Sequence, residues 1–283
     1  MQNNKVNFVF FGTPDVASET LEILKQAGFL PSLIVTSPDA RAGRKMLMTP
    51  PPVKIWAQEN NIPFLQPEKL DQEFYDKLKP SCLKPNCLFI VVAYGKIMPE
   101  KIINMPKLGS KNIHYSLLPK YRGASPVESA ILNGDTETGV TIQKMAFALD
   151  AGDIIAQEKV AILPDEKAPE LRKRLIKIGG ELLVKSLSTG GWVGIKQDGS
   201  LASVCKKIKK EDGLVNLEAL PPSVLYNKFR AYALWPRTFF FKDNKRVIIT
   251  DAVLDDDKFV IKKVLPEGKK EIKYEEFIAQ RVL

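Results

Sequence analysis

The chain has 283 residues, of which 45% are hydrophobic and 27% charged, with 42 Lys+Arg against 33 Asp+Glu for a formal net charge of +9. This length suits two moderate domains, each able to bury its own core, and the composition excludes a disordered chain. Three cysteines (Cys82, Cys87, Cys205) with no Cys-x-x-Cys pair and one histidine support neither a zinc site nor a disulfide framework.

Phe8-Val9-Phe10-Phe11 reads as a first strand, ending at Gly12-Thr13-Pro14-Asp15. Ala17, Leu21, Ile23 and Leu24 then recur at helical spacing, and Ser32 to Thr36 reads as the next strand. Continuous rather than alternating apolar strands predict a parallel sheet covered by helices on both faces. Cys87 to Ala93 is a third such strand, terminating at Tyr94-Gly95. The first strand is not followed by Gly-x-Gly-x-x-Gly, which disfavours a nicotinamide enzyme, and P-loop phosphoryl chemistry finds no Gly-x-x-x-x-Gly-Lys-Ser/Thr. Residues 38–52, rich in proline and basic residues, are expected to form a long exposed loop.

Residues 153–162 alternate in part, like an antiparallel or edge strand. Residues 168–188 carry Leu171, Leu175, Ile178, Leu182 and Leu183 on one side of an amphipathic helix. The glycines from 190 to 199 place a linker at about 191–206, between a domain of residues 1–190 and one of 207–283. In the latter, a helix is expected around 223–231. The segments 238–241, 246–250 and 259–261 are short strand candidates at the spacing of a small β-barrel. Residues 204–283 hold 17 basic against 12 acidic side chains, whereas residues 1–203 hold 25 against 21. The basic excess is therefore concentrated where a polyanion-binding appendage would carry it. No stretch approaches the roughly 18 apolar residues of a membrane span, and no signal-like N-terminus is present, so a cytoplasmic protein is expected.

His114 is the only histidine, and histidine is the side chain whose ordinary titration range covers neutral pH. Asn112 lies two residues before it, on the same face of an extended segment, and Asp150 follows in Leu149-Asp150-Ala151-Gly152. Such a set suits acid-base work at a reacting carbonyl carbon. The amide can donate to a developing oxyanion, the imidazole can charge-assist that hydrogen bond or shuttle a proton, and the carboxylate can orient the ring. This chemistry needs no metal. The bland alternative is a satisfied core histidine and an Asp that only makes a turn.

The surroundings extend the pattern: Gly12-Thr13-Pro14, Pro38-Asp39 with Ala42-Gly43-Arg44, and Val92-Ala93-Tyr94-Gly95. Asn112 to Gly123, Gly134-Asp135 with Glu137 to Ile142, and Leu149 to Asp153 complete it. With these landmarks in order, residues 6–190 resemble the folate-dependent formyltransferases, in particular their methionyl-tRNA branch. The resemblance implies a Rossmann-like sheet, a C-terminal OB-like barrel and Asn112, His114 and Asp150 as the catalytic set. It also implies 10-formyltetrahydrofolate as cosubstrate, held by Val92, Ala93, Tyr94 and Gly95 around the pteridine and by Ser116, Leu117, Leu118 and Pro119. Initiator methionyl-tRNA would be the acceptor, met by Arg44 and Lys45 in the long loop and by Lys206, Lys207, Lys209 and Lys210 at phosphates. A monomer, with no membrane partner, is the expected form.

Two departures from the family pattern stand near the site: Tyr115, expected to narrow the pocket mouth, and Ala148, expected to stiffen the approach to Asp150. Sugar-amine formyltransferases share the Asn-His-Asp set and form the runner-up reading. A catalytically idle RNA-binding protein on the same fold is the alternative from another class.

Overall fold

The computed structural model describes residues 6–43, 46–83 and 86–279. In chain order the elements are β1 (Asn7–Gly12), α1 (Asp15–Gln26), β2 (Leu33–Val35), β3 (Ala40–Ala42), β4 (Leu47–Thr49), α2 (Pro52–Glu59), β5 (Phe64–Leu65) and α3 (Gln72–Cys82). There follow β6 (Cys87–Val92), α4 (Glu100–Ile103), β7 (Ser110–His114), β8 (Arg122–Gly123), α5 (Pro126–Leu132), β9 (Glu137–Lys144), β10 (Ile154–Ala161) and α6 (Ala168–Thr189). The chain closes with β11 (Val204–Cys205), α7 (Pro222–Ala231), β12 (Phe239–Lys242), β13 (Lys245–Asp255), β14 (Lys258–Pro266), β15 (Ile272–Lys273) and α8 (Tyr274–Ala279).

Two compact units form. One gathers Met1–Arg122, Gly139–Lys159 and Arg174–Ser203; the other gathers Gly123–Thr138, Val160–Lys173 and Val204–Leu283. Among the described residues no helix is long and apolar enough to cross a membrane.

The first unit is built on a seven-stranded sheet of order β10-β9-β7-β6-β1-β2-β5. β1 pairs in parallel with β2 and β6, β2 with β5, and β6 with β7, while β9 runs antiparallel to β7. Starting from β1 the chain winds outward through β2 and β5, then returns to β6 and β7 on the other side. The strand order therefore reverses between β1 and β6, the kind of crevice where open α/β sheets take their ligands. All six residues of β6 are buried, as its uninterrupted apolar run requires. Val16, Ala17, Leu21 and Leu24 bury the apolar face of α1. Gly12 lets α1 approach β1: a Cβ there would lie 2.6 Å from the Ala17 Cβ and 2.7 Å from the Phe10 ring. The lone glycine after β1 thus serves packing.

The segment 38–52, expected as a long exposed loop, contains two short strands. β3 and β4 pair as an antiparallel hairpin, Ala40 to Thr49 and Arg41 to Met48, with Gly43 and Met46 in the left-handed region. Met46, Leu47 and Met48 are exposed. β10 is the edge strand of the large sheet, consistent with its partial alternation.

The second unit packs α7 on the antiparallel sheet β12-β13-β14-β15. Leu225, Tyr226 and Phe229 of α7 form one core with Val247, Ile249, Ala252 and Val264 of the strands. Hairpin turns at Asp243-Asn244 and Asp256-Asp257 have positive φ at both central residues, the geometry that matches strand twist. β13 and β14 are longer than their sequence signals. The register shifts on either side of Asp251, so the inward and outward periodicity breaks midway along β13.

Candidate active site

Three chain segments of the first unit build the site: the end of β6, the end of β7, and the turn between β9 and β10. Asn112 and His114 lie on β7, opposite Gln143 and Thr141 of β9 respectively. Strand alternation turns the intervening residues the other way. Ile113 and Tyr115 both pack beside Gly179 of α6, so Tyr115 does not narrow the pocket mouth as its sequence position suggested.

His114 is buried, and each ring nitrogen faces an oxygen. Nε2 lies 2.8 Å from the Tyr121 carbonyl oxygen, and Nδ1 lies 3.6 Å from Asp150 Oδ2. A carbonyl only accepts, so Nε2 carries the proton in this hydrogen bond. That leaves the lone pair of the neutral ring on Nδ1, at ion-pair distance from a carboxylate rather than in direct hydrogen-bond contact. The Asp150 side chain is itself only 12% exposed. Gln143, buried opposite Asn112, donates from Nε2 to Asp150 Oδ1 at 2.8 Å, leaving Oδ2 toward the ring. The structure thus brings Asp150, 36 residues away in sequence, to His114, and sets Asn112 two residues along the same strand. The Asn112 side chain is half-buried.

The turn that carries Asp150 is tightly specified. Asp150 has φ +48, and Gly152 sits against β9 where a Cβ would overlap the Lys144 carbonyl oxygen. That obstacle is main chain, so relief requires moving the turn or the strand end. We therefore expect Gly152→Ala to lower the thermal midpoint and to cut turnover sharply, because Asp150 moves with the turn. Calorimetry and steady-state rates check this together.

The other expected contact residues divide by exposure. Val92 and Tyr94 are buried, and the Tyr94 ring packs edge-on to Phe11 in the core at a centroid distance of 5.4 Å. Burial holds the Tyr94 phenol well above its usual range. Ala93 and Gly95 are exposed, with φ of +46 and +82, and present main chain beyond the carboxyl end of β6. Thr13 reaches across from the end of β1 to donate from Oγ1 to the Tyr94 carbonyl at 3.1 Å. In the Ser116 to Pro119 strip, Ser116 and Leu118 are buried while Leu117 and Pro119 are half-buried. Thr141 Oγ1 donates to the Ser116 carbonyl at 2.6 Å and accepts from Leu118 N at 3.1 Å, and Gln157 Nε2 donates to the Leu118 carbonyl at 2.8 Å. Ser116 Oγ donates to the Lys120 carbonyl at 2.6 Å, so its hydroxyl is used within the strip.

Sequence reasoning missed Tyr121, Gln143, Gln157 and Gln197. Tyr121 acts through a backbone carbonyl and the glutamines carry no titration signature; nearness to the landmark residues could have marked Tyr121, Gln143 and Gln157, whereas Gln197 lies far from all of them in sequence. Lys206, Lys207, Lys209 and Lys210 are exposed and belong to the second unit. Arg44 and Lys45 lie outside the described residues.

Comparison with known proteins defines the class. The formyl transferase profile matches residues 4–187, and that of the formyl transferase C-terminal domain matches residues 207–259. The chain belongs to the formyl transferase family. Within it, a methionyl-tRNA formyltransferase of Caldicellulosiruptor saccharolyticus is 40% identical over 238 residues, covering 83% of this chain and 75% of the relative. Among solved structures, methionyl-tRNA formyltransferase from Clostridium thermocellum superposes with a TM-score of 0.60 at 16% identity, covering 95% of this chain and 99% of that one. An N-formyltransferase from Helicobacter canadensis, in complex with folinic acid and dTDP-3-aminofucose, gives 0.66 at 19%, covering 89% and 88%. At these identities the structural likeness is one of fold.

Proposed function

We propose that the chain transfers the formyl group of 10-formyltetrahydrofolate to the amino group of methionine on initiator methionyl-tRNA. The observation that carries this reading is the pairing of His114 Nδ1 with Asp150 at 3.6 Å, beside Asn112 at the crevice end of the sheet. Relatives about 40% identical direct the choice of acceptor toward tRNA. The cosubstrate supplies a formamide carbon open to attack. Exposed main chain at Ala93 and Gly95, together with half-buried Leu117 and Pro119, suits a flat ring with a polar edge.

The roles follow from the geometry. The substrate amine attacks the formyl carbon, a C–N bond forms, and the carbonyl electrons move onto oxygen. Asn112 donates an amide N–H to that oxygen as it gains charge. His114 Nδ1 accepts the proton that the attacking nitrogen must lose, and returns it to the departing nitrogen as the old C–N bond breaks. Asp150 stabilises the ring while it is charged, and the Tyr121 carbonyl keeps the Nε2 side occupied. Of the two roles open to the imidazole, this geometry supports the proton shuttle over donation to the oxyanion, since Nε2 is already committed.

In this reading the first unit carries the chemistry and residues 207–283 bind tRNA, with the protein acting as a monomer. Arg44 and Lys45 would meet the acceptor end, while Lys206, Lys207, Lys209 and Lys210 would meet phosphates without reading sequence. Replacing these last four lysines by Gln should flatten the dependence of log Kd on log salt by roughly 1 for each phosphate left without its lysine. Turnover at saturating tRNA should be unchanged. Filter binding across a salt series reads the slope.

The test of the assignment is acceptor competition. 10-Formyltetrahydrofolate is offered with charged initiator methionyl-tRNA, uncharged tRNA, an amino sugar nucleotide, or water alone. Rapid consumption only with the charged tRNA is the expected result. Preferential formylation of the sugar nucleotide would move the assignment to the sugar-amine branch.

A further inference from the structure

The glycines after α6 predict a linker, yet residues 195–203 are bonded into the first unit at both walls of the candidate site. Ile195 forms a two-bond antiparallel bridge with Ile154, just beyond the Asp150 turn. Gln197, 8% exposed, donates from Nε2 to the carbonyl of Asp150 at 2.9 Å and to that of Gly152 at 2.6 Å. Its Oε1 accepts from Arg122 Nε at 3.1 Å and Nη2 at 2.7 Å. Both amide protons and the amide oxygen are therefore committed. Rotating the amide by half a turn would set oxygen against two carbonyls and N–H against a guanidinium.

The same stretch reaches the other nitrogen of His114. Ser203 Oγ accepts from Tyr121 N at 2.9 Å, and the Ser203 carbonyl accepts from Arg122 N at 2.8 Å. Tyr121 is the residue whose carbonyl receives Nε2–H, and Arg122 is its neighbour. One short segment thus ties down the acceptor on the Nε2 side and the turn carrying the carboxylate on the Nδ1 side.

We infer that Gln197, clamped by Arg122, is a positioning residue that sets Asp150 against His114 during turnover. This rests on reading His114 and Asp150 as the reacting pair. Gln197 touches neither the ring nor the carboxylate oxygens, so it acts only through the backbone of the turn. Gln197→Met keeps the length of the side chain and removes all four bonds. Gln197→Glu keeps a partner for Arg122 but cannot donate to the two carbonyls at neutral pH.

The experiment is a double-mutant cycle with Asp150→Asn, run on the intact protein with thermal midpoints measured alongside. Displacement of a reacting group by about 1 Å costs on the order of 10²-fold in rate. Each Gln197 variant should therefore lose about that factor in kcat with little change in KM. In the Asp150→Asn background the further loss should shrink to about threefold or less, because residues acting as one unit are not additive. Equal losses in both backgrounds, or an unchanged kcat, would overturn the inference. So would a kcat loss that merely tracks the fraction unfolded at the assay temperature.

A second readout uses no substrate. The only imidazole in the chain gives one set of ring ¹⁵N and ¹H signals, and these should shift in folded Gln197→Met. Unchanged ring signals would also overturn the inference. Should the wild-type protein consume formyl-folate with none of the acceptors, the proposed reaction fails, and the ring signals still decide the positioning claim.

Discussion

His114→Ala should lower formyl transfer by about 10²- to 10⁴-fold in kcat, the range removed when a positioned acid-base group is lost. The chain holds no second histidine to substitute, and exogenous imidazole should restore part of the rate if the cavity admits it. A cost in stability is also expected. The Tyr121 carbonyl loses the hydrogen bond from Nε2 in a buried position, and removing the donor from a buried acceptor costs roughly 1–3 kcal/mol. A lowered thermal midpoint with a protein still folded at the assay temperature is therefore the expected physical state. Affinity for tRNA should remain, since binding to phosphates is assigned to other residues. This separates a formyltransferase from an idle RNA-binding protein, in which the substitution would leave no enzymatic defect to measure.

Asn112→Ala should cost about 10²- to 10³-fold in kcat, the loss typical of one oxyanion donor. Asn112 is half-buried on β7, so truncation leaves less unsatisfied than the His114 change does, and the thermal midpoint should move less. KM for either substrate should change little, because the donor is needed where charge develops and not where substrate docks. Asn112→Asp is the sharper control: it retains size but puts a carboxylate where negative charge must accumulate. Single-turnover rates distinguish loss of chemistry from slowed product release. An Asn112→Ala protein with wild-type kcat and raised KM would reassign the side chain to binding.

Much of the sheet and of the reacting set is legible in residue types. β1 and β6 announce themselves as unbroken apolar runs, and α1 by the spacing of Ala17, Leu21 and Leu24. Asn112 and His114, two apart on an extended segment, share a face by strand alternation alone. The same alternation sends Tyr115 to the opposite face, where it packs beside Gly179. Other parts are not legible. The β3–β4 hairpin is three residues per strand with exposed apolar side chains, too short for a periodic signal. β13 continues through a register shift near Asp251, which hides its second half from any period-two search. Gln197 sits in a glycine-rich stretch 47 residues beyond Asp150, and its value lies in hydrogen bonds to backbone carbonyls that no residue pattern records.

The proposed chemistry depends most on which nitrogen of His114 is free. ¹⁵N spectra of the labelled wild-type protein, taken at a pH where the ring is neutral, report this directly, because one histidine gives one unambiguous pair of resonances. A protonated Nε2 bonded to the Tyr121 carbonyl and an unprotonated Nδ1 facing Asp150 are the expected result. A neutral ring protonated on Nδ1 would contradict the proton shuttle, since the nitrogen assigned to collect the amine proton would already hold one.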